Sequence, residues 1–249
     1  MYFCSKLKVN MYRLFSRTSL AVLIIGFIFS SCKKTANNPP SSGKTIFDNF
    51  TSGVDNWTGD FADYPNDPIM VPLYQLQLSH SNLPIPLNTS DWALRQSGKN
   101  HSDDLFMFIK KKVTGLTPDK NYTVDFKVEI ATNAASNMIG IGGAPGEGVK
   151  IKAGAISVEP IKVLNTTEKW YRMNIDKGNQ SIGGIDMIVI GDFSNGTDQN
   201  IYKIKQLTTT SPLNVRANQQ GEIWLVIGTD SGFEGTTTIY YNSIQVVIK

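Results

Sequence analysis

The chain has 249 residues, 41% of them hydrophobic and 10% aromatic, which excludes general disorder and suits one medium-sized globular domain or two small ones. Two cysteines exclude a disulfide scaffold, and two histidines, His80 and His101, exclude a three-histidine zinc site. Of the 24 basic residues, Lys6, Lys8, Arg13 and Arg17 lie in the acid-free stretch before Cys32; the 20 that remain face 21 acidic ones, so the body is near neutral and has no electrostatic footprint for nucleic acid.

In chain order, residues 1–31 come first, with Met11 as an alternative start. A basic stretch leads into the apolar run Leu20 to Phe29 and then small residues, the plan of a secretory signal. A spanning helix needs about 20 apolar residues, so this shorter run is expected to be cut and not to remain in the bilayer. Phe29-Ser30-Ser31-Cys32 resembles the bacterial lipobox, with Phe29 where Leu is more usual. The resemblance implies cleavage before Cys32, acylation of its thiol and amine, and a membrane anchor. Cys32 is then the only cysteine left, so acylation also removes a thiol that has no partner within the chain.

Residues 33–44, rich in Pro, Ser and Asn, read as a solvated tether, with Lys33 and Lys34 placed to meet anionic head groups. No acidic run follows Cys32, and a periplasm-facing position in the bacterial envelope is expected.

From Thr45 onward no helical period is sustained, and strand signals dominate. Leu105 to Val113, the alternating Tyr122 to Ile130, Val149 to Ala155, Tyr171 to Ile175, Ile185 to Ile190, Ile201 to Leu207, Ile223 to Ile227 and Thr238 to Ile248 are separated by Gly, Asn, Asp and Ser clusters. Many short strands without helices predict an all-β body, one sandwich over 45–249. Ile185 to Ile204 and Ile223 to Ile244 echo one another as strand, Gly-Asp turn and strand, two units that fall short of an array.

Leu116-Thr117-Pro118 with Tyr122 resembles the tyrosine corner of sandwich domains, in which the phenol bonds back to the backbone. With the opening FDNF…W (47 to 57) and the closing IYYNSIQV (239 to 246), the body resembles the jelly-roll, galactose-binding-like domain of carbohydrate-binding modules. That implies first and last strands side by side. The runs SGKNHSDDLFMF, GIGGAPGE, DKGNQ and GTDSGFEGTT are similar to an uncharacterised family of secreted bacterial proteins, a likeness that carries no function.

Three sets of side chains are candidates for chemistry. Trp57, Tyr64 and Trp92 lie among small polar residues and are candidate rings for stacking a sugar, whereas Trp224 sits in an apolar strand and reads as core. His101, Asp103, Asp104 and Glu147 are the acid–base candidates, although a polar loop before the strand at Leu105 is the favoured explanation of the first three. Asp192, Asp198, Asp230 and Glu234 are candidate ligands of a structural calcium, the one cofactor considered. The glycine-rich stretch 140–148 lacks the helix and lysine of a phosphate loop and reads as a turn. The N-x-[ST] triplets starting at Asn49, Asn56, Asn88, Asn121, Asn165 and Asn195 reflect loop composition.

The leading expectation is a lipid-anchored envelope protein whose jelly-roll sandwich binds carbohydrate or another polar ligand without catalysis. The alternatives are a glycan hydrolase working through paired carboxylates, with Asp176 a further candidate, and an assembly lipoprotein that binds an envelope protein along an edge strand.

Overall fold

The structure, a computed structural model, describes residues 43–249; the signal, Cys32 and all of the tether before Gly43 lie outside the described residues. The strands are β1 (Lys44–Asp48), β2 (Thr58–Ala62), β3 (Tyr64–Pro65), β4 (Gln77–Asn82), β5 (Trp92–Lys99), β6 (Leu105–Val113), β7 (Asn121–Thr132) and β8 (Val149–Ile156). They continue with β9 (Lys162–Asn165), β10 (Trp170–Met173), β11 (Met187–Asp192), β12 (Lys203–Thr208), β13 (Leu213–Arg216), β14 (Ile223–Ser231) and β15 (Thr236–Ile248). One 3-10 turn, Val71–Tyr74, precedes β4, and no described helix is long and apolar enough to cross a membrane.

Two antiparallel sheets form a β-sandwich of jelly-roll type. The larger runs β12-β7-β15-β5-β4, with β13 continuing the edge beside β7 and β1 pairing β15; the smaller runs β11-β8-β14-β6-β2. Period-two alternation places Val124, Val128 and Ile130 of β7 and Ile244 and Val246 of β15 against Leu105, Met107 and Ile109 of β6 and Leu225 and Ile227 of β14, all buried in one core.

The expected corner is present: the Thr117 N–H donates to the Tyr122 hydroxyl at 2.8 Å. The first and last strands pair as expected, Lys44 opposite Ile248 through Asp48 opposite Ile244. The two echoing segments are loop-linked pairs and not hairpins, since β11 and β14 lie in the five-stranded sheet while β12 and β15 lie in the seven-stranded one.

The outer face of the five-stranded sheet is also covered. Residues 157–186, carrying β9 and β10, fold over it, and Met173 and Ile175 pack on Phe106, Phe108, Val226 and Met187. This explains why β6 and β14 are buried on both faces over most of their length. It also corrects the assignment of Trp224 to the main core: Ile223 and Leu225 take the inward positions, so Trp224 points outward, half-buried between the ammonium groups of Lys110 and Lys112.

Candidate functional site

β15 has β7 along one flank, while β5 and β1 share the other end to end. β5 pairs Thr236–Tyr241 and β1 pairs Ile244–Ile248, so Asn242 and Ser243 have no strand opposite them on that side. The register with β7 also shifts there, with Tyr241 opposite Ile130 and Ser243 opposite Glu129, and Asn242 is the extra residue of a bulge. A gap in the strand row next to a bulge leaves a slot of about 250 Å³, lined by Phe47 of β1, Asn49 and Thr51 just after it, Asp91 and Trp92 at the start of β5, and Glu129, Asn242 and Ser243 beneath.

The slot is pre-set. The Trp92 indole stacks on the His80 ring at 4.6 Å between centroids and 22° between planes. His80 is held in turn by donating through Nε2 to the Phe50 carbonyl at 2.6 Å, which fixes its tautomer. Glu129 Oε2 accepts from Asn242 Nδ2 at 3.2 Å and Ser243 Oγ at 3.0 Å, while its Oε1 has no partner among the described residues. Asn49 Oδ1 accepts from the Thr51 N–H at 3.2 Å, which orients the Asn49 amide. Two aromatic rings with two carboxylates, two amides and two hydroxyls around them suit a polyhydroxylated ring, whose apolar face stacks while its hydroxyls find partners. The slot is smaller than the roughly 300–1,000 Å³ of drug-sized pockets, which fits a single sugar unit better than a chain.

The other stacking candidates are corrected by burial. Trp57 is 1% exposed and donates through Nε1 to Asp48 Oδ2 at 2.9 Å; Tyr64 is 3% exposed and packs on Tyr74 and Tyr171. Trp57 lies in the loop before β2 and Tyr64 in β3, and neither shows a ring face to a ligand.

A second cavity, also about 250 Å³, opens among Asp63, Asp104, Arg172 and Lys177. Beneath it the Lys152 and Asp230 side chains are both fully buried, 2.6 Å apart. Lys152 Nζ also donates to the carbonyls of Lys177 at 2.9 Å and Ile182 at 3.0 Å. Burial pulls the Lys152 ammonium below its usual pKa against the attraction of Asp230. Three acceptors around one nitrogen match the three donors of an ammonium. Lys177 Nζ bonds Asp230 at 2.9 Å and lies 3.1 Å from Asp63; burial lowers its pKa, but these carboxylates and Asp104 outweigh that and hold it above the usual value. Arg172 Nη1 completes the network at 3.1 Å from Asp63 and 3.3 Å from Asp104. Three cations meet three carboxylates, and the result clasps residues 177–182 onto the sheet.

The acid–base candidates are dispersed. Asp104 belongs to this network, and Asp176 lines the same cavity with its carboxylate oxygens taken by the N–H groups of Gly178 and Ile185. His101 is exposed with Nε2 3.2 Å from the Leu73 carbonyl, Asp103 sits at a turn with φ of 57°, and Glu147 accepts from the Asn137 N–H. Of the calcium candidates, Asp192 accepts from Lys205 at 2.6 Å and Asp230 from two lysines, whereas Asp198 and Glu234 are exposed. No group of three or more ligand side chains occurs among the described residues, so these four do not assemble a site.

Asp104 provides a pH signature. Burial, aided by Asp63 and Asp230 and opposed by Lys177 and Arg172, pushes its carboxyl up to about 6. A folded-state pKa above the unfolded one means that the folded protein binds the extra proton between roughly pH 4 and 6. Asp104 therefore adds stability as pH falls through that window and adds none above it. Asp104→Asn is expected to gain in midpoint temperature relative to the wild type as pH rises from about 4 to 7; parallel profiles of the two proteins would contradict this assignment.

Neither a protein-family model nor a curated protein sequence matches the chain. Among solved structures it is similar to the enzymatically active domain of tailspike protein 4 of bacteriophage CBA120, at 12% identity and a TM-score of 0.32 over 76% of this chain and 19% of that one. It is also similar to the N-terminal modules of xylanase 10B of Clostridium thermocellum, at 13% identity and a TM-score of 0.37 over 81% of this chain and 28% of that one. For the mannan-recognising carbohydrate-binding module TmCBM27 the identity is 10% and the TM-score 0.36, over 83% of this chain and 98% of that one. The chain thus spans less than a third of the length of the first two. At such scores the neighbours' ligands say nothing about the ligand of this chain, whose site has to be read from its own residues.

Proposed function

We propose that this chain is a lipid-anchored protein of the bacterial cell envelope, facing the periplasm, whose β-sandwich binds carbohydrate in the slot at Trp92 without transforming it. The observation that carries the binding is the juxtaposition of the Trp92 ring, already backed by His80, with Glu129, Asn242 and Asn49, whose side chains are oriented before any ligand arrives. Preorganisation of this kind spares a ligand the cost of ordering its partners. Support for the anchor comes from the sequence alone, in the lipobox ending at Cys32 and the tether after it.

Two measurements test the two halves. The full-length protein is expected to unfold at higher temperature with at least one member of a panel of gluco-, manno-, xylo- and aminosugar oligosaccharides, by about 2.7 kcal/mol at a hundred times the dissociation constant, and to leave the sugar intact. No rise with any member, or cleavage of the sugar, would overturn the binding reading. Cys32→Ser is expected to move the protein from the membrane to the soluble fraction, and retention on the membrane after signal cleavage would refute the anchor.

A further inference from the structure

The slot carries more negative charge than a neutral sugar needs. Its two carboxylates, Asp91 and Glu129, have no basic side chain within 4.0 Å among the described residues, whereas the acids of the other cavity, Asp63 and Asp104, are each ion-paired. Both hydrogen bonds to Glu129 come from neutral donors onto Oε2, so its charge is oriented but not neutralised. Two aromatic rings line the same space, the half-buried Trp92 and Phe47, which is 62% exposed. An indole or phenyl face carries a negative quadrupole that attracts a cation, and a carboxylate beside it adds to the same field. Carboxylate, rings and unmatched charge all ask for one positive group on an otherwise polar, ring-shaped ligand.

We propose that the slot selects an amine-bearing sugar, a hexosamine unit with a free protonated amine, over its N-acetylated or neutral counterpart. This rests on the reading of the slot as a carbohydrate site. The ammonium lies toward Glu129 Oε1, the carboxylate oxygen left without a partner, while the ring face stacks on Trp92. Acetylation removes the charge and replaces three donors by one, leaving the carboxylate facing an amide.

The test is calorimetric titration of the full-length protein with a glucosamine tetramer and with its N-acetylated counterpart, at a pH where the amine is protonated. The free-amine form is expected to bind about fivefold to tenfold more tightly, the sum of an exposed cation–π contact and an exposed ion pair, and the preference should shrink in high salt. Glu129→Gln keeps an acceptor for Asn242 and Ser243 and is expected to lower the ratio by about a factor of two to five, leaving the part due to the aromatic rings, with Asp91→Asn lowering it less. Equal binding of the two tetramers by the wild type, or a preference undiminished in Glu129→Gln, overturns the charge selection while leaving the carbohydrate site standing. If neither tetramer nor any neutral oligosaccharide binds, the carbohydrate reading fails and this inference falls with it.

Discussion

Asp230→Ala is expected to destabilise the protein by about 3–5 kcal/mol, because it strands the fully buried Lys152 ammonium beside a cavity while Lys177 loses its closest carboxylate. Desolvating the intact pair is itself costly, so the pair is not a large net stabiliser. What the substitution exposes is the cost of one buried charge without its partner. Lys152→Met removes that charge while its unbranched side chain still fills the space of the lysine stem, and is expected to cost clearly less than Asp230→Ala. The double variant Lys152→Met with Asp230→Ala should recover part of the loss, since no ion is then left unmatched. Chemical denaturation of the four proteins reads the cycle directly. Additive effects would mean that the two side chains act independently, against the geometry of the clasp.

Trp92→Ala is expected to weaken saccharide binding by about 2 kcal/mol, roughly thirtyfold, because the ring, held in place by its stacking on His80, is a preorganised apolar face of the slot and aromatic residues dominate such sites. Its effect on folding should be smaller than that of a core tryptophan, since Trp92 is half-buried at a strand end and leaves His80 still bonded to the Phe50 carbonyl. Trp92→Phe keeps a stacking face and should retain most of the affinity. Titration of the wild type and both variants with the tightest-binding saccharide separates the outcomes: if Trp92→Ala binds as well as the wild type, the slot is not where the sugar sits.

The sequence showed the sandwich where burial imposes a period and hid it where edges relax one. β6, β7, β8, β14 and β15 are long and apolar on at least one face, so their alternation stands out. β4 is largely exposed at the sheet margin, and β5 contains Arg95, Gln96, Ser97 and Gly98, which read as loop. Gln96 is nevertheless buried, with its amide Nε2 donating to the carbonyls of Asp60 and Phe108 while its Oε1 has no partner among the described residues. A polar residue with two backbone partners belongs in a core, but the partners are distant in sequence.

The same limit governs the sites. Trp92 was legible as a ring among small polar residues, but so was Trp57, and only the fold separates the exposed edge from the closed loop. Glu129 reads as one more polar position on an alternating strand; Asn242-Ser243, two polar residues in succession within β15, is the single local sign of the bulge that opens the slot. Lys152 looks like a solvent-facing lysine until residues 157–186 are known to cover that face. Nothing within β8 announces a cover supplied by a later part of the chain.

The pairing of β1 with β15 also determines how the protein bears mechanical load. Any pull transmitted from the chain before Lys44 enters β1 at one end, and a ligand held beside Asn49 resists near the other, so tension runs lengthwise along the strand. The ladder from Lys44–Ile248 to Asp48–Ile244 is then strained in shear, with its rungs sharing the force, and is not peeled open one rung after another. Under the proposed anchor and binding slot, a load in this direction would therefore be borne by all five rungs of the ladder together.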